Sequence, residues 1–190
     1  SSSFIEKSLA SVKPEIIFHC AAMVNVDESE KNPVEAYKTN VEVTRNLARS
    51  ALPQCLFVYI TTDGIFKGTK ALVTETELPC PRTVYGRSKL QGEWEVQLAT
   101  VNHLIIRTNF FGWSSGRKRS SAEWLYQALA SEKPISLFDD FFFTPIYVVD
   151  LVECLARLLT SSYRGVLHVA GGERLSKHAF GRLMAELGGF

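Results

Sequence analysis

Three stretches of almost unbroken apolar residues limit what this chain can fold into: EIIFHCAA (15–22), CLFVYITT (55–62) and HLIIRTNFFG (103–112). A strand wetted on one face alternates apolar and polar residues, whereas a strand covered on both faces reads as a continuous apolar run. Between these runs the periodicity changes to that of a helix. Asn32 and Pro33 suit a helix cap and first turn, and Val34, Tyr37, Val41, Thr44, Ala48 and Ala51 follow at three- and four-residue spacing. Further helices are expected from Tyr85 to about residue 99, around 122–130, over 148–159 and after Ser176, with strands at 134–138 and 165–172. Strand and helix in alternation predict an α/β fold, a doubly wound and mostly parallel sheet with helices on both faces.

With 190 residues, 46% of them hydrophobic, the chain can bury a full core. A net charge of +1 gives no reason to expect a nucleic-acid partner. No apolar run has the length of a membrane span, and no charged-then-apolar leader is present. Cys20, Cys55 and Cys154 lie in apolar runs and read as buried reduced thiols. With Cys80 they show no metal-ligand spacing, so no metal is expected and the cytoplasm is the expected compartment.

The chemistry-bearing motif is VYGRSKLQGE (84–93), which puts Tyr85 and Lys89 one helical turn apart. Reduction of a carbonyl makes an alkoxide that needs a proton. A phenol, with an ordinary pKa near 10, gives one up more readily beside an ammonium that stabilises its anion. Thr62, at the end of ITTD, can hold the carbonyl oxygen. The spacing alone recurs by chance in chains of this length. What singles it out is the order: buried strand, Thr-Thr-Asp, a loop of some twenty residues, then Tyr and Lys on a helix. In parallel sheets ligands bind at the carboxyl ends of strands, here Cys20-Ala21-Ala22, Thr61-Thr62-Asp63 and Thr108-Asn109-Phe110.

The segments PEIIFHCAAMVNVDESEKNPVEAYKTNVEVTRNLA, FVYITTDGIFKGTKALVTETELPCPRTVYGRSKLQGE and TPIYVVDLVECLARLL resemble the extended short-chain dehydrogenase/reductases, and within them the dTDP-4-dehydrorhamnose reductase group. The resemblance covers nearly the whole chain. It implies a Rossmann-like fold, a remainder of the dinucleotide-binding domain over 1–112 and a small, partly interleaved substrate lobe over 113–190. It implies an NAD(P)H-dependent reductase of a keto-sugar nucleotide, with Thr62, Tyr85 and Lys89 catalytic. Candidate contacts to NADPH or NADH are Cys20, Ala21, Ala22, Thr61, Tyr85, Lys89 and Thr108. Candidate contacts to the nucleotide-sugar substrate are Asp63, Asn109, Phe110 and Arg117. Asn40 is expected to support the site from beneath.

The family's glycine-rich phosphate turn would lie upstream of Ser1, since no glycine precedes Gly64; the chain is therefore expected to be a fragment. Gly64 and Phe110 stand where rhamnose reductases have tyrosine and tryptophan. The pair Asp63-Gly64 in place of Asp-Glu argues against dehydratase chemistry. A regulatory subunit like the beta subunit of methionine adenosyltransferase, or an epimerase, are the competing functions. Arg117, Lys118 and Arg119 would suit either a diphosphate clamp or a solvated loop. The run 139–143 suits core packing first, and a pocket wall or homodimer contact second.

Overall fold

The computed structural model describes residues 2–114, 119–131 and 134–190. The chain forms two compact units. One comprises Ser1–Arg107 with Ser162–His168, the other Thr108–Ser161 with Val169–Phe190.

The first unit is built on a four-stranded sheet, order β1-β2-β3-β7, with strands Ile16–His19 (β1), Leu56–Thr62 (β2), His103–Thr108 (β3) and Gly165–His168 (β7). β1 pairs β2 in parallel with Ile16 opposite Leu56 and His19 opposite Tyr59, and β3 pairs β7 in parallel from Leu104–Gly165 onward. This is the mostly parallel arrangement that the apolar runs predict and the Rossmann-like one that the resemblance implies. Because side chains alternate across a strand, Phe57 and Tyr59 of β2 share one face. Together with Ile105 of β3 they form a core that packs on Ala48 and Val96. Those two residues come from helices α4 (Val43–Ser50) and α5 (Val84–Ala99). A helix α1 (Ser2–Val12) packs against α4.

Helix α4 is reached through α2 (Val26–Lys31), α3 (Pro33–Tyr37) and a π-helical turn, Lys38–Glu42, that buries Asn40 and Val41 completely. The short helix α2 is capped by the Asn25 side chain, which accepts from Glu28 N at 2.9 Å. Asn32 does stand at the N-terminus of α3 with Pro33 after it. Its amide, however, donates to the Glu28 carboxylate at 2.7 Å and caps nothing in α3.

The second unit holds β4 (Phe110–Phe111), α6 (Ser121–Ala130), β5 (Phe142–Phe143), β6 (Ile146–Tyr147), α7 (Val148–Leu159), β8 (Leu175–Ser176) and α8 (Lys177–Gly188). β4 runs parallel to β6, and β5 antiparallel to β8. The strand expected at 134–138 is absent. The Phe138 and Phe141 carbonyls instead accept from the His178 and Lys177 amides at the start of α8, and strand pairing falls on Phe142–Phe143.

Two further expectations change. Only Cys55 is buried: Cys20 lies exposed past the end of β1, and Cys154 is exposed on α7. Of the aromatic run only Phe143 is buried. Phe142 lies 3.6 Å beneath the Arg174 guanidinium, a cation–π contact that leaves it half exposed. Among the described residues no helix is long and apolar enough to cross a membrane, and no cluster could hold a metal ion.

Gly92 sets how closely α5 approaches the sheet. A Cβ there would collide with the Tyr59 hydroxyl and lie 2.8 Å from the Asn40 carbonyl oxygen. Both neighbours are fully buried and have no room to move. Gly92→Ala is expected to destabilise the fold by about 1–3 kcal/mol, read as a lower urea midpoint with an unchanged slope.

Candidate active site

The carboxyl end of β2 meets the amino end of α5. Thr62 ends the strand, and its hydroxyl accepts from Gly64 N at 3.0 Å, closing the short 3-10 turn Asp63–Ile65. The same hydroxyl donates to the Asp63 carboxylate at 3.3 Å. Thr83 caps α5, accepting from Gly86 N at 3.0 Å. A Cβ at Gly86 would sit 2.5 Å from the Gly64 carbonyl oxygen. Glycine at 86 therefore lets the turn after β2 touch the first turn of α5, where Tyr85 resides.

Tyr85 is half-buried and Lys89 is 2% exposed. The Lys89 ammonium donates to the Ile60 carbonyl at 2.9 Å and lies 4.1 Å from the centre of the Tyr59 ring. Burial pushes Lys89 down to about 8, with the Glu93 and Cys20 charges acting in the opposite sense. Burial pushes the Tyr85 phenol up; the Thr62 side chain works against it and Asp63 adds to it. The depression of the phenol expected from Lys89 is therefore not found in this chain. The ammonium points at β2, and loss of water dominates the phenol.

Beneath these residues lies Asn40, fully buried. Its side-chain oxygen accepts from Met23 N at 2.7 Å, and its amide nitrogen donates to Met23 O at 3.1 Å and to Ser88 Oγ at 2.9 Å. Ser88 in turn donates to the Tyr85 carbonyl at 2.9 Å. One amide thus ties the turn after β1 to the helix carrying Tyr85 and Lys89. That turn presents Cys20 and Ala21 exposed and Ala22 half-buried. Thr61 is buried, and its hydroxyl has no hydrogen-bond partner among the described residues.

The first unit therefore brings together Thr62, Asp63, Tyr85 and Lys89, with Cys20 within charge range of Lys89. Thr108, Asn109 and Phe110 belong to the second unit. Thr108 is 4% exposed, Asn109 O accepts from Ile146 N at 3.1 Å, and Phe110 lines a cavity of about 210 Å³ with Trp113, Ser114, Ser120 and Val148. Trp113 and Ser120 escaped the sequence reading; an aromatic three residues past Phe110 was the available signal. Arg117 and Lys118 lie outside the described residues, and Arg119 is exposed.

His19, 3% exposed, stacks on Tyr59 and bonds through Nε2 to the Thr44 hydroxyl at 2.8 Å. Thr44 donates its own proton to the Asn40 carbonyl, so Nε2 is the donor towards Thr44. Burial, then the Lys89 charge, lowers His19 from 6.5 to about 4. Between those values the unfolded chain binds a proton that the folded chain refuses, so stability falls as pH drops from 6.5 towards 4. The expected loss is about 3 kcal/mol. Urea unfolding across that range should show it in the parent and not in His19→Gln.

The RmlD substrate binding domain family matches residues 2–189. Among curated proteins, the dTDP-4-dehydrorhamnose reductase of Sinorhizobium fredii is 30% identical over 189 residues, covering 95% of this chain and 63% of that protein. The methionine adenosyltransferase 2 subunit beta of Rattus norvegicus is 28% identical over 182 residues, covering 92% of this chain and 54% of that protein. The chain thus spans about three fifths of the length of such relatives. The crystal structure of the Bacillus anthracis dTDP-4-dehydrorhamnose reductase, solved with NADP, superposes with a TM-score of 0.93 at 28% identity, covering 100% of this chain and 68% of that one. With all but its terminal residues matched, the chain belongs to the RmlD substrate binding domain family.

Proposed function

We propose that the protein is an NADPH- or NADH-dependent reductase of a keto-sugar nucleotide, similar to the dTDP-4-dehydrorhamnose reductases. The observation that carries this reading is the convergence of Thr62, Tyr85 and Lys89 where β2 ends and α5 begins. The residues also fit a dinucleotide. The small, exposed turn at Cys20-Ala21-Ala22 allows close approach to backbone, the buried Thr61 hydroxyl lacks a protein partner, and Tyr85 and Lys89 offer donors to a ribose. When bound, the nicotinamide supplies a hydride.

The chain's own residues handle the proton. Burial keeps the Tyr85 phenol protonated until an alkoxide forms beside it, and the phenol then donates. Thr62, whose bond to Asp63 is long at 3.3 Å, turns its hydroxyl to the substrate carbonyl oxygen and orients it. Lys89 remains mostly protonated at neutral pH and, held by the Ile60 carbonyl, offers its ammonium as a donor to the nicotinamide ribose. Asp63 lies beside Thr62 as a candidate acceptor for sugar hydroxyls.

A binding subunit on the same fold is the second reading, favoured by the likeness to methionine adenosyltransferase 2 subunit beta. Tyr85→Phe separates the two. For a reductase, kcat falls at least about a hundredfold with NADPH affinity retained, and kcat/KM in the parent declines above about pH 8 as Lys89 loses its proton. NADPH binding without turnover of any keto-sugar nucleotide by the parent would favour the subunit.

A further inference from the structure

Arg107 is a cation inside a strand of apolar residues, 7% exposed, and it is clamped by Glu93 of α5 through contacts of 2.8 and 3.1 Å. Its remaining Nη1 reaches the Glu75 carbonyl at 3.4 Å and faces His168 Nε2 at 3.5 Å. His168 holds the same segment: its backbone N–H donates to the Glu75 carboxylate at 2.8 Å, and its Nδ1 meets the Val73 carbonyl at 3.2 Å. Phe66 packs against both, 5.4 Å from the guanidinium and 5.5 Å from the imidazole. The strand ends thereby grip the segment 66–75, which follows the Thr62-Asp63 turn.

Glu93 is also four residues beyond Lys89 on α5, one turn away, and both are buried. The groups facing Lys89 are Glu93 on α5, His19 and Cys20 at the end of β1, and the Tyr59 ring and Ile60 carbonyl of β2. Glu93 is the one carboxylate among them. Two buried cations, Arg107 and Lys89, therefore share the Glu93 carboxylate, and the Glu75 charge also acts on Arg107.

We propose that Glu93 is a shared positioning residue: its carboxylate both clamps Arg107, and through it the 66–75 segment, and holds the proton on Lys89. Its catalytic meaning rests on the reductase reading. Its physical content does not, because the charge of Lys89 is measurable without turnover. Burial lowers Lys89, and the Glu93 charge is the larger of the two that oppose that fall, Cys20 being the other.

The test is an NMR titration of isotope-labelled lysine side chains in this chain, with the Lys89 signal assigned by its loss in Lys89→Met. The parent is expected to titrate at about 8. Glu93→Gln should lower that midpoint by about one unit, a tenfold loss of proton affinity. Glu75→Ala should speed tryptic cleavage after the exposed Lys67 and Lys70, yet leave the midpoint in place. Should Glu93→Gln fail to fold, Glu93→Asp keeps the charge while withdrawing it by one methylene, and should produce a smaller fall. A folded Glu93→Gln or Glu93→Asp that titrates like the parent overturns the proposal. So does a Glu75→Ala that shifts Lys89 as far as Glu93→Gln, since Glu93 would then act only as packing.

Discussion

One buried amide, Asn40, organises the first unit. A primary amide offers two donors and one acceptor oxygen in a plane, and enclosing it without partners would cost several kcal/mol. Here its three hydrogen bonds go to both backbone groups of Met23 and to Ser88. The amide is brought to that depth by the π-helical turn Lys38–Glu42, which widens the helix locally and turns Asn40 and Val41 inward. Such bulges are rare in helices and frequent at functional sites. The loop leaving β1 and the helix carrying Tyr85 and Lys89 are thus held by the same side chain, and displacement of either would strand polar groups in the interior.

Around that anchor, burial outweighs charge. Lys89 keeps an ammonium partly against its surroundings, held by the Ile60 carbonyl, the Tyr59 ring face and the nearby Glu93. Tyr85, with Asp63 close by, is pushed in the direction that retains its proton. The two groups are therefore matched in opposite senses: the acid keeps its proton and the base-like lysine loosens its own. His19 continues the pattern, being neutral because it lies between Tyr59 and Thr44 with a positive charge not far away.

Much of this was legible in the chain because continuous apolar runs report strands covered on both faces, and β1, β2 and β3 fall within the three runs. Tyr85 and Lys89 were legible because helical spacing brings residues four apart to one side. What escaped depends on contacts between segments distant in sequence. The π-turn exists because Asn40 meets Met23 and Ser88, 17 and 48 residues away. The direction of the Tyr85 shift depends on where the Lys89 ammonium points, which spacing cannot tell. The residues 134–138 alternate like a strand, but the carbonyls of Phe138 and Phe141 serve α8. Arg107 was the overlooked signal: a charge amid apolar neighbours in a buried strand demands a buried partner, and Glu93 supplies it.

β2 ends in two threonines whose hydroxyls have opposite fates. Successive side chains of a strand face opposite sides of the sheet, so Thr61 and Thr62 serve different layers although they are adjacent and chemically alike. The register that sets His19 beside Tyr59 decides which of them reaches the turn towards Tyr85. A single inserted or deleted residue anywhere in β2 would leave the composition of the motif intact and exchange the two roles. The strand therefore carries its chemistry as odd or even position, and Thr-Thr is a motif whose meaning lies in parity rather than in identity.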